Sequence, residues 1–174
     1  FALFRENGVE PLLIKGIAAA QFYPRGLFRE SIDMDIAVAT QDFDTAKGVV
    51  GSEAAAGLAI DLHRELRHLD TVSWTDLVAN SKLVNFDRGT IRVLRPEDHL
   101  RVLCVHWLTD GGSNKDRLWD IYHAVKNRPD DFDWDRFLNV VDQKRRRWLT
   151  CTIGLAHRYL GLDLAGTPIE NEAN

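Results

Sequence analysis

The chain has 174 residues, 45% hydrophobic and 28% charged, which is the size and composition of one domain or of one domain with a small helical appendage. That balance excludes a disordered tail, a collagen-like fibre and a disulfide mini-protein, and a net charge of −4 gives no support to sequence-independent nucleic-acid binding. The acids are lopsided, eighteen Asp against eight Glu, and Asp is both a turn residue and a short, stiff metal ligand. Cys104 and Cys151 are the two cysteines. They can build neither a disulfide framework nor a thiolate zinc site, and both fall in apolar helical patterns, so reduced, buried thiols in a cytoplasmic protein are expected. The apolar stretches are too short to span a bilayer, so no membrane partner is expected. The chain opens on Phe1 rather than Met, and an upstream segment is expected.

In chain order, Phe1 to Asn7 reads as a helix stopped by Gly8. Val9 to Ile14 reads as a strand and Ile17 to Tyr23 as a helix ended by Pro24-Arg25-Gly26. Ile32 to Val38 alternates with period two, giving a strand with one apolar face and one face bearing Asp33 and Asp35. Thr40 is placed to cap a helix through Phe43, Ala46 and Val50. Leu58 to Leu62 reads as a strand closing on Asp61 and His63, and Ser73 to Val78 as a short helix. Leu83 to Phe86 and Thr90 to Leu94 read as a hairpin turning at Asp87-Arg88-Gly89. From Pro96 the pattern is helical only. Leu100, Leu103, Cys104, Trp107 and Leu108 form one stripe. Leu118, Ile121, Tyr122 and Val125 form a second, Trp134, Phe137, Leu138 and Val141 a third, and a fourth helix runs from about Arg146 to Leu160. Leu103, Trp107, Ile121, Tyr122, Phe137, Leu138 and Leu155 are expected to be buried together, and the tail after Gly161 is expected to fray. The chain thus divides into an α/β unit over residues 1–95, a helical unit over 96–164 packed on it, and a tail over 165–174.

The acidic strand carries the chemical signal. Asp33 and Asp35 stand at i and i+2, so on a strand they share a face about 6.5 Å apart. Asp is disfavoured in strands. A pair on one face suits a divalent cation, which prefers hard oxygen ligands, and Asp61 is the candidate third carboxylate of a two-metal phosphoryl-transfer site. A solvated strand face with two ordinary acids is the competing explanation. Upstream, Lys15-Gly16 lies at a strand-to-helix turn. Glycine there lets backbone amides approach a phosphate, with Lys15 and Arg29 available to neutralise its oxygens; a routine turn would carry the same two residues.

The run Leu13-Ile14-Lys15-Gly16-Ile17-Ala18-Ala19-Ala20, then Tyr23, then Arg29-Glu30-Ser31-Ile32-Asp33-Met34-Asp35-Ile36, resembles the bacterial uncharacterised nucleotidyltransferase family of the DNA polymerase beta-type nucleotidyltransferase superfamily. Ile60-Asp61-Leu62-His63, Val93 to Leu100, Cys104-Val105-His106 and Arg117-Leu118-Trp119-Asp120 extend the resemblance over most of residues 9 to 160. It implies an α+β fold: a nucleotidyltransferase-like mixed sheet with flanking helices, followed by a C-terminal helical bundle. It implies magnesium or manganese held by Asp33, Asp35 and Asp61, which are also the catalytic residues. Lys15, Gly16, Arg29, Ser31 and His63 would contact the nucleoside triphosphate. The implied activity moves a nucleoside monophosphate from an NTP to an acceptor hydroxyl. Small molecules, RNA ends and protein hydroxyls are all acceptors in the superfamily, and the charge gives nucleic acid no support among them. Neither the acceptor, the base nor the oligomeric state is readable. Two departures stand out. Ile17 replaces the usual Ser or Gly, and 25 residues separate Asp35 from Asp61, short for the family. The first keeps open a catalytically silent nucleotide-binding or partner-binding module with the same fold.

His63 is i+2 from Asp61 and faces the same side, where it can orient the acid or contact substrate. His99, His106 and His123 match no zinc-ligand spacing and are expected to be satisfied, partly buried histidines. Lys144-Arg145-Arg146-Arg147 reads as a solvated helix start. Without a cation, Asp33, Asp35 and Asp61 are expected to repel one another.

Overall fold

The computed structural model of the protein describes residues 1–86 and 89–172. The chain forms two compact units, one of residues 1–18, 29–68 and 73–95, the other of residues 19–28, 69–72 and 96–174. In the first, α1 (Ala2–Glu6) leads to β1 (Leu12–Leu13), β2 (Met34–Val38), α2 (Phe43–Val50), β3 (Ile60–Arg64), α3 (Trp74–Ala79), β4 (Lys82–Phe86) and β5 (Gly89–Val93). Among the described residues these strands make one five-stranded mixed sheet in the order β3-β2-β1-β5-β4. β1 is antiparallel to β2 and parallel to β5, β2 is parallel to β3, and β4 is antiparallel to β5. This is the expected α+β class. The expected hairpin is β4–β5; its turn residues Asp87 and Arg88 lie outside the described residues.

One face of the sheet is apolar. Leu13, Ile36, Val38 and Val93 pack with Phe4 and Val9 and with Ala46 and Val49 of α2. Each large side chain buried there contributes about 1.5–3 kcal/mol. The period-two pattern of β2 sends Asp35 and Ala37 to the opposite face.

Several boundaries differ from the expected ones for local reasons. β1 is confined to two residues because Pro11 brings no N–H to a ladder and Gly16, at φ +58°, turns the chain away. The next segment, Gly16–Phe22, forms 3-10 turns rather than an α-helix. β2 starts at Met34, so Asp33 lies in the bend before it, where the Ser31 hydroxyl donates to the Asp33 carbonyl and closes a local turn. β3 starts at Ile60, because Leu58 still donates to Ala55 in the preceding turn. Asp61 therefore opens β3 instead of closing it. Thr40 does not cap α2; its hydroxyl donates to Glu65 at 2.7 Å.

The second unit contains α4 (Pro96–Thr109), α5 (Lys115–Lys126), α6 (Trp134–Leu138) and α7 (Gln143–Leu160). α4 packs on α5, α6 and α7, and α5 on α7. Asn114, Asp133 and Asp142 cap α5, α6 and α7 by accepting N–H groups of the first turn. Leu103, Trp107, Ile121, Phe137 and Leu138 are buried as their stripes require. Tyr122 and Leu155 are only half-buried; the Tyr122 hydroxyl takes a hydrogen bond from Lys126 at the surface. Gly161, at φ +70°, ends α7 in the left-handed conformation glycine favours. The segment from Leu162 to Glu172 does not fray: Leu162, Leu164 and Ile169 are buried, and Arg146 pairs with Glu172; residues 173 and 174 of the expected tail lie outside the described residues. Arg146 is thus tied down, while Lys144 and Arg145 lie over the Trp148 ring.

Two further expectations fail in this unit. Cys104 is buried, but Cys151 is exposed, because it falls on the outer face of α7. His99 and His123 are buried yet only partly satisfied: among the described residues His99 Nε2 and His123 Nδ1 have no hydrogen-bond partner, while His99 Nδ1 meets Gln21. Burial lowers the His99 pKa to about 3, so its ring is neutral. No helix among the described residues is long and apolar enough to cross a membrane.

Candidate active site

The register of the sheet builds the site. Asp35 stands opposite Asp61, Ile36 opposite Leu62, and Ala37 opposite His63 on parallel neighbours. Neighbouring strands lie about 4.8 Å apart and facing residues project to the same side, so Asp35, Asp61 and His63 converge. The methyl side chain of Ala37 leaves room across from His63 for the imidazole to lean over. His63 Nε2 lies 3.0 Å from Asp61 Oδ2 and 3.3 Å from Asp35 Oδ1. Among the described residues this trio is the one group whose His and carboxylate atoms lie close enough to hold a metal ion, all within 4.8 Å of one another.

Lys15 enters from the end of β1. Its aliphatic stem is buried, and its ammonium contacts Asp35 Oδ1 and lies 3.9 Å from Asp61 Oδ2. Burial pushes the Asp35 carboxyl up, but hydrogen bonds from His63 and Lys15, with the Lys15 and His63 charges, outweigh it and hold the pKa below the ordinary value. The expected bare repulsion between carboxylates is therefore absent at Asp35, which is paired with an ammonium. The Asp61 side chain is 51% exposed, against 6% for Asp35, so the cluster has a dry floor and a wet mouth.

Gly16 is where the backbone meets this floor. A Cβ at Gly16 would stand 2.9 Å from Ser31 Oγ, closer than real β-carbons come, and 3.0 Å from Asp35 Oδ2, so both side chains would have to shift. The positive φ and the tight approach both require glycine. Ser31 thus lines the site beside Gly16. Asp33 is exposed in the bend before β2, and the close cluster of Asp35, Asp61 and His63 does not include it. Arg29 is half-buried and donates to the Glu30 carbonyl. Ile17 is partly exposed. All of the residues singled out from the sequence, Lys15, Gly16, Arg29, Ser31, Asp33, Asp35, Asp61 and His63, lie in the sheet-bearing unit. What the sequence reading missed is the direct Lys15–Asp35 contact; no spacing rule reports a pair brought together by strand order.

The donor set suits a divalent cation: two carboxylates and an imidazole nitrogen, with the carboxylates on adjacent strands. The mixed five-stranded sheet with flanking helices is consistent with a nucleotidyltransferase-like fold. The chain belongs to the uncharacterised nucleotidyltransferase family, whose model matches residues 1–56 and 51–161. The two matched stretches overlap at residues 51–56, between α2 and β3. No curated protein and no solved structure matches the chain.

Proposed function

We propose that the protein transfers a nucleoside monophosphate from an NTP to an acceptor hydroxyl. The observation that carries this reading is the register pairing of Asp35 with Asp61 beside Lys15 and Gly16, in a chain of this family. The acceptor oxygen bonds to the α-phosphorus, the bond from that phosphorus to the β-phosphate oxygen breaks, and pyrophosphate leaves. Asp61, at the wet mouth, receives the hydroxyl proton. Asp35 holds its place through His63 and Lys15 and supplies the buried carboxylate. Lys15 and Arg29 neutralise the triphosphate, and the Gly16 turn lets the phosphates approach the backbone. Asp33, in the exposed bend, adds a carboxylate on the triphosphate side. A bound magnesium or manganese ion would neutralise charge developing on the phosphoryl oxygens. Small molecules, RNA ends and protein hydroxyls remain the acceptor classes. A catalytically silent module is the second reading, favoured by Ile17 at the position where the superfamily has Ser or Gly. The test is incubation with α-labelled NTPs, divalent metal and a cell extract. Label should pass to an acceptor with the parent chain and not with Asp35→Asn. No metal-dependent labelling in any fraction would favour the silent module.

A further inference from the structure

We infer that His63 is a metal ligand, making the cation site a carboxylate–carboxylate–imidazole set of Asp35, Asp61 and His63 that favours manganese-type ions over magnesium, with the Lys15 ammonium as the cation that the metal displaces. The inference rests on the proposed function above only for the use of the metal.

The geometry supports it in three ways. First, six-coordinate ions with bonds of about 2.1 Å place adjacent donors about 3.0 Å apart, since an octahedral edge is the bond length times the square root of two. His63 Nε2 is 3.0 Å from Asp61 Oδ2 and 3.3 Å from Asp35 Oδ1, so an ion would replace the proton of these hydrogen bonds, which leaves to solvent, without moving the ring. Second, His63 Nε2 is aimed at both carboxylates from a buried position, with a side chain only 10% exposed. It is thus held among the carboxylate donors instead of reaching past them to solvent. Third, Lys15 Nζ already lies against the same two oxygens that flank the imidazole, Asp35 Oδ1 and Asp61 Oδ2. A single charge there fits a point that attracts cations, and a divalent ion would take it with more ligands. The freed ammonium is then available for a phosphate oxygen. Nitrogen donors suit manganese and later transition ions, whereas magnesium takes oxygen and keeps its waters.

The test is electron paramagnetic resonance with Mn2+ alone, without nucleotide. Parent protein should bind Mn2+ and show nitrogen modulation in the electron spin echo. Growth on 15N-labelled histidine should change that modulation, which needs no variant. His63→Gln should lose it and weaken Mn2+ binding by more than the roughly 10- to 100-fold that loss of an outer-shell partner costs, while displacement of Mn2+ by Mg2+ becomes easier. Lys15→Met should bind Mn2+ more tightly than the parent. Weaker binding in His63→Gln without nitrogen modulation in the parent would make His63 a positioning residue and overturn the inference. Absence of Mn2+ binding to the parent, or unchanged affinity in Lys15→Met, would overturn it as well. Nucleotidyl transfer supported by Mg2+ in a protein lacking the nitrogen signal would sink this inference and leave the proposed function standing.

Discussion

The protein contains two clusters of opposed charges that differ in closure. In the helical unit Arg101, 1% exposed, bonds Asp70 and Asp98, and Arg136 bonds Asp98 and gives its carbonyl to Arg101. Two guanidiniums face two carboxylates, and both faces of Asp98 are taken. In the sheet unit Asp35 and Asp61 face one ammonium and an imidazole, and Asp61 is half in water. A closed, balanced network fixes a helix bundle and has no capacity left for a ligand. The open one has carboxylate oxygens to spare at a solvent-facing mouth, and a lysine, whose charge is a compact point on a flexible stem, where the closed one has arginine forks. The two clusters thus differ in satisfaction and access, not in the residue types that supply the negative charge.

The largest effect separates the clusters by stability. Arg101→Ala leaves Asp70 and Asp98 buried and under-compensated and should cost about 3–5 kcal/mol. Asp61→Asn should stay within about 0.5 kcal/mol of the parent, as exposed substitutions do. Urea unfolding of both variants makes the comparison, and equal losses would erase the difference between the two clusters.

Next in size is Gly16→Ala. The left-handed conformation costs a β-carbon about 1–2 kcal/mol, and that carbon would press on Ser31 and Asp35. Thermal unfolding should show the loss, and NTP binding should fall further than stability does. A variant with unimpaired NTP binding would remove Gly16 from the site.

A smaller effect is the response to acid. His99 is neutral and buried with a pKa near 3, against 6.5 when unfolded. The unfolded chain therefore takes the proton first, and stability falls as pH drops from 6.5 towards 3. Asp35 adds to this at the acid end: its folded pKa is depressed, so its stabilisation holds above the unfolded value of 3.8 and is lost as pH falls through the folded one. Urea midpoints between pH 7 and pH 4.5 should fall, and His99→Gln should flatten that slope. An unchanged slope would place the acid sensitivity elsewhere. The smallest effect concerns the thiols. Cys151 should react with a disulfide reagent in the folded state, whereas Cys104, buried and with its thiol pKa pushed up, should react only on unfolding.

The helices were legible because the apolar stripes and the Pro96 and Gly161 boundaries act locally. The shared face of Asp61 and His63 was legible from period two alone. The full strand order was not: periodicity does not report that β3-β2-β1-β5-β4 sets Asp61 beside Asp35, which the family resemblance implies, and the turn that brings Lys15 to Asp35 has a tightness only the structure displays. The placement of Asp33 also escaped, because the turn closed by the Ser31 hydroxyl delays the start of the strand to the residue after it. Burial of the final segment through Ile169 is non-local and left no periodic trace.

The most direct measurement is calorimetric titration of an NTP into the parent and into Asp35→Asn, each with and without divalent metal. In the proposed site Lys15 offsets one of the two carboxylates, so a triphosphate would still meet uncompensated negative charge without a metal, and each of metal and nucleotide would strengthen the binding of the other. The parent should therefore bind the NTP tightly only with metal, and Asp35→Asn should lose that dependence together with transfer. Equal affinity in all four titrations would contradict a metal–nucleotide site at Asp35 and Asp61.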